Sequence, residues 1–125
     1  MSRRLASLLF GAVAATALPA DAPSVGGEWR IQYNVFAKEG EQTCTFTQAG
    51  SEINGTCGKN SDSAAGKVEG SRVTWRIKTL FDGAPTAMEF SGTLVSGEKI
   101  AGTVILVDAG VDGEFTATKK KQEHL

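Results

Sequence analysis

Histidine, tyrosine and cysteine are scarce in this chain of 125 residues, which holds one His, one Tyr and two Cys. His124, in a lysine-rich tail, and two cysteines cannot supply the three or four ligands of a zinc centre, so no metal site is expected. A Ser-His-Asp triad needs a histidine held by the fold, and none is available. Cys44 and Cys57 lie far outside the Cys-x-x-Cys spacing of a redox pair. Basic residues (13) do not outnumber acidic ones (14) and form no basic field, which excludes nucleic acid as a partner. No cofactor motif is present, so none is expected.

What is there begins with a leader. Arg3 and Arg4 precede a Leu/Ala/Val stretch that ends in Ala20-Asp21-Ala22, the charge, length and small-residue pattern of a secretory signal over residues 1–22. Its apolar run is too short to span a bilayer. No second apolar segment of membrane length follows, so the processed protein is expected to be periplasmic or secreted, without a membrane span. Removal of Arg3, Arg4 and Asp21 leaves a net charge of −2. Residues 23–119 suffice for one small domain, with 120–125 as a solvated tail.

From Gly26 onward the apolar residues alternate, and Gly, Asn, Asp and Ser interrupt them at short intervals, which is strand and turn grammar. Trp29, Ile31, Tyr33 and Val35 share one face; Arg30, Gln32 and Asn34 take the other. Strands are expected near 27–36, 42–48, 53–58, 64–69, 72–80, 87–95, 99–107 and 113–119, with no helix. Out-of-phase positions such as Thr74, Arg76, Lys78, Glu89, Ser91 and Thr103 are polar, so one face is wet and one dry. Eight sequential antiparallel strands with a single dry face hide it by closing into an up-and-down β-barrel, an all-β fold; a two-sheet β-sandwich is the alternative.

One hairpin fixes the register. If Ala49-Gly50-Ser51-Glu52 turns the chain, Gln48 faces Ile53, Phe46 faces Gly55 and Cys44 faces Cys57. Directly opposed residues bring their Cβ atoms within about 5 Å, close enough for a disulfide. The same grammar sets Val68 against Val73, Gly66 against Trp75, Leu94 against Ile100 and Phe90 against Val104.

A meander sorts its connections into two ends. The short turns fall beside Trp29, whereas residues 37–42, 58–63, 81–85 and 107–113 read as looser loops at the other end, where a binding site is expected. Parity lines the interior there with Tyr33, Val35, Ile77, Thr79, Met88, Leu106 and Phe115, with Trp75 at mid-height. This apolar cup suggests a small hydrophobic or aromatic ligand oriented by Tyr33 and Thr79; the competing reading is that so small a barrel fills itself. As an enzyme the cup would be a metal-free isomerase, cyclase or lyase, with Tyr33 as acid and Asp82 or Asp112 as base. The acidic rim, including Glu39, Glu41, Asp62 and Asp108, fits turn chemistry, with attraction of a cation or a basic partner as the alternative. Asn54-Gly55-Thr56 matches a glycosylation sequon.

Gly27-Glu28-Trp29 at the first strand resembles the Gly-x-Trp start of the calycin group, the lipocalins and avidins. That resemblance implies a tryptophan plugging the closed end beneath a basic residue of the last strand, here Lys119 or Lys120, and a ligand inside the barrel. The chain lacks the Thr-Asp-Tyr common in lipocalins and the polar set of avidins. It is also similar to the small bacterial inhibitors of secreted metalloproteases, exported barrels with one disulfide. That resemblance implies a protease partner and an inhibitory arm, for which only Pro23 to Glu28 precede Trp29.

Overall fold

The computed structural model describes residues 24–81 and 83–121. Residues 1–23, which include the segment expected to be a signal, Asp82 and residues 122–125 lie outside the described residues. Eight strands follow one another: β1 (Gly27–Val35), β2 (Lys38–Ala49), β3 (Glu52–Cys57), β4 (Asp62–Glu69), β5 (Arg72–Phe81), β6 (Ala84–Ser96), β7 (Lys99–Leu106) and β8 (Val111–Lys119). Every strand pairs antiparallel with its sequence neighbours, and β1 also pairs with β8, from Trp29↔Lys119 to Val35↔Gly113. The sheet therefore closes on itself as a barrel with no free edge, and the sandwich alternative is set aside.

The registers read from the sequence recur in the structure: Cys44↔Cys57, Phe46↔Gly55, Gly66↔Trp75, Val68↔Val73, Phe90↔Val104 and Leu94↔Ile100. Cys44 and Cys57 are joined in a disulfide. The glycines among these pairs are obligatory. A Cβ on Gly55 or Gly66 would overlap the carbonyl oxygen of Thr45 or Thr74 on the neighbouring strand, so the wall curls tightest where it carries no side chain.

The loose loops expected at one end are a correction. β2 begins at Lys38, so the β1–β2 connection is only Phe36-Ala37, and the four-residue turns Gly58–Ser61 and Val107–Gly110 are the longest at that end. The alternation runs further than hydropathy showed because its inward positions there are Gly40, Gln42 and Asp62 rather than apolar residues.

Phe36 and Ala37 both adopt left-handed φ, 59° and 58°. A two-residue hairpin of this kind favours Asn-Gly, and each non-glycine residue held left-handed costs roughly 1–2 kcal/mol. Replacing Phe36-Ala37 with Asn-Gly is expected to stabilise the domain by about 1–2 kcal/mol. A chemical denaturation midpoint that fails to rise would contradict this account of the turn.

The interior is packed. Trp75 sits at its centre, stacked on Phe90 at 4.8 Å and 10°, with Phe46 and Phe115 edge-on at 5.3 Å each. Val25 crosses the end of the barrel at Trp29: its carbonyl accepts the Trp29 Nε1–H at 2.9 Å, and its own N–H donates to Gln48 Oε1 at 2.7 Å. Lys119 Nζ lies 5.9 Å from the Trp29 ring centroid, within cation–π reach. Lys120 pairs with Glu28 at 3.2 Å. This end is closed, and the opposite end is left as the mouth.

Candidate ligand site at the open end

Six of the residues expected to line a cup, Val35, Trp75, Ile77, Met88, Leu106 and Phe115, are no more than 3% exposed and pack into the continuous core. They occupy the interior themselves. Tyr33 and Thr79, the two with hydroxyl groups, remain half-buried at the mouth.

Tyr33 owes its position to a glycine across the β1–β2 ladder. Gly40 is its partner, and a Cβ there would overlap the Tyr33 ring, so the ring lies flat over the bare backbone. Burial of the phenol raises its pKa above the ordinary 10.0, because the phenolate would be poorly solvated. At neutral pH Tyr33 is thus a neutral hydrogen-bond donor and acceptor.

Beside it lies a cleft of about 620 Å³, within the size range of small-molecule sites. Gln42 of β2, Asp62 of β4 and Thr79 of β5 border it from inward-facing positions, while Lys59 and Asn60 come from the β3–β4 turn and Leu80 from β5. With Glu41 and Thr43 of β2 also on its border, the cleft offers two carboxylates, an ammonium, two amides, two hydroxyls and a phenol, and Leu80 is its one large apolar side chain. Among the described residues no cluster of His, Cys, Asp or Glu is arranged to hold a metal ion.

The carboxylates named from sequence stand elsewhere. Asp112 is exposed on the outward phase of β8, opposite Ile105, and does not border the cleft. Asp82 lies outside the described residues. Asp108 Oδ2 accepts the Ala87 N–H at 3.3 Å, tying the β7–β8 turn to β6. Asp62 is the inward-facing carboxylate that borders the cleft with Tyr33; Glu41, also on its border, is paired with Arg30. Gln42 is in phase with Cys44 and Phe46, and Asp62 with Ala64 and Val68, so extending the inward alternation through polar residues finds both.

The fold and site together define a closed antiparallel meander barrel with a packed interior and a polar mouth. Compared with known proteins, the chain matches no family model, no curated protein and no solved structure. The chemistry of the mouth carries the functional reading.

Proposed function

We propose that this protein is an exported binder of small aromatic molecules bearing hydrogen-bonding substituents, and that the ligand sits at the mouth of the barrel. The observation that carries the reading is the grouping of the inward-facing polar side chains Tyr33, Gln42, Asp62 and Thr79 around one cleft, over an interior occupied by buried side chains and the ring cluster at Trp75. An aromatic ligand would lay its ring on Leu80 and the edge of Tyr33, with its substituents bonded to Asp62, Lys59 and Gln42. A ligand wholly inside the barrel would have to displace the ring cluster around Trp75.

Tyr33 is the sole tyrosine, so incorporation of 3-fluorotyrosine gives a single fluorine resonance at the site. Screening small phenols, indoles and aromatic acids should produce a saturable shift of that resonance, weakened by Asp62→Asn. No shift from any member of such a set would end the proposal.

The same cleft supports a second reading, a metal-free proton transfer with Tyr33 as acid and Asp62, in place of Asp112, as base. Tyr33→Phe separates the two, since a binder loses modest affinity whereas an enzyme that needs the phenol loses most of its turnover. An inhibitory arm, the third reading, receives less support because Val25 is wholly buried at the closed end.

The raised phenol pKa makes a pH prediction. Above pH 10.0 the unfolded chain loses the Tyr33 proton first, so folded-state stability is unaffected by this group below that pH and falls as pH rises through the higher folded-state value. Absorbance titration at the phenolate band should show one midpoint, above that of a model phenol. Tyr33→Phe should abolish this group's contribution to the alkaline loss of stability, read by thermal melts across the same range.

A further inference from the structure

The outer wall of the barrel is not convex all round. Across β2, β1, β8 and β7 it holds a groove of about 760 Å³, larger than the cleft at the mouth. The strand registers arrange its outward-facing residues in two rungs. The upper runs Glu39, Asn34, Glu114, Thr103; the lower runs Glu41, Gln32, Thr116, Ala101. Long side chains on β2 thus border the groove on one side and short ones on β7 on the other.

Its charge is of one sign, for no Lys or Arg lines it. Glu41 is engaged by Arg30 Nε at 2.8 Å. Glu39 and Glu114 have no ion-pair or hydrogen-bond partner among the described residues, and they stand two strands apart on one rung, roughly 9–10 Å at the usual strand spacing. Between them Asn34 adds an amide. Just beyond the Asn34↔Glu39 rung the hairpin turns, and at its tip Phe36 is 71% exposed. The groove therefore leads from an acidic floor to a displayed aromatic ring.

We propose that this wall docks an extended, Lys- or Arg-bearing segment of a protein partner. The partner's cations enter the acidic rungs, and an apolar side chain of the same segment lies against Phe36. Charge complementarity selects this occupant: uncompensated glutamates attract a basic chain and oppose the anionic surface of a membrane. Aromatic anchors beside polar rims are the common anatomy of such interfaces. The groove adjoins the mouth and shares Tyr33 and Glu41 with its cleft, but Glu39, Asn34 and Glu114 take no part in that cleft, and neither proposal requires the other.

The test uses the full chain, labelled with nitrogen-15, and two soluble peptides, one alternating Lys and Val and its Glu-Val counterpart. The Lys-Val peptide should bind saturably and shift the amides of Gln32, Asn34 and Thr116. Glu39→Gln/Glu114→Gln should weaken it by about fivefold, in proportion to two exposed charge contacts. Phe36→Asn should weaken it also while the domain remains folded, because Asn suits the turn better than Phe. Equal response to both peptides, indifference to the glutamine pair, absence of saturable binding, or shifts confined to the closed end would overturn the proposal. So would Phe36-dependent partition onto phospholipid vesicles without any response to the Lys-Val peptide.

Discussion

Trp75→Ala is expected to destabilise the barrel by about 3–5 kcal/mol, a large part of the roughly 5–15 kcal/mol that holds a domain of this size together. The ring stacks on Phe90 and receives Phe46 and Phe115 edge-on, so its removal strips contacts from three aromatic neighbours at once. Relaxation cannot close the gap, because the residue directly across the β4–β5 ladder is Gly66, which has no side chain to move in. The melting temperature should fall by roughly 15–30 °C at the usual conversion for a small domain. Trp75→Phe should be far milder. The Trp75 Nε1–H is buried without a hydrogen-bond partner among the described residues, so the smaller ring loses volume but also removes an unsatisfied donor. If the Ala variant melted within a few degrees of the parent, the ring cluster would not be the centre of the core.

The second large effect concerns the disulfide. Cys44 and Cys57 are thirteen residues apart, and closing a loop of that length in the unfolded chain is worth about 3 kcal/mol. Cys44→Ala/Cys57→Ala should therefore lower the denaturation midpoint by about that free energy while leaving the hairpin register intact, since Phe46↔Gly55 and Gln48↔Ile53 do not depend on the sulfurs. The pair sits between ladder bonds, with the Gly58 N–H donating to the Thr43 carbonyl at 3.0 Å just beyond it. Both cysteines are at most 1% exposed. Reductant alone should therefore act slowly on the folded protein and quickly once denaturant opens it. Rapid reduction under native conditions, followed by thiol labelling and mass measurement, would contradict the buried placement.

How much of this was legible beforehand depended on where the apolar residues stopped. From Trp29 to Phe115 the alternation fixed which face each strand buries, and with it the register of Cys44 to Cys57 and of Gly66 to Trp75. At the mouth the inward positions become Gly40, Gln42, Asp62 and Thr79, and hydropathy alone no longer separates a strand from a loop. Four extra residues of β2 and two of β4 were hidden in this way. Whether the interior was hollow was also not legible, because alternation gives direction and not volume. Three aromatic rings meeting at Trp75 fill what a list of inward residues leaves undetermined. The outer groove was hidden for a different reason: Asn34 and Glu39 share a hairpin, but Glu114 is distant in sequence and joins their rung only when β8 closes on β1.

Because the first strand lies beside the last, residue 27 enters and residue 119 leaves the barrel at the same pole, the one stoppered by Trp29. Whatever is fused to the domain just before or just after these strands is tethered beneath its base. An anchor on either flank would hold the molecule upright, with Tyr33 facing away from the support.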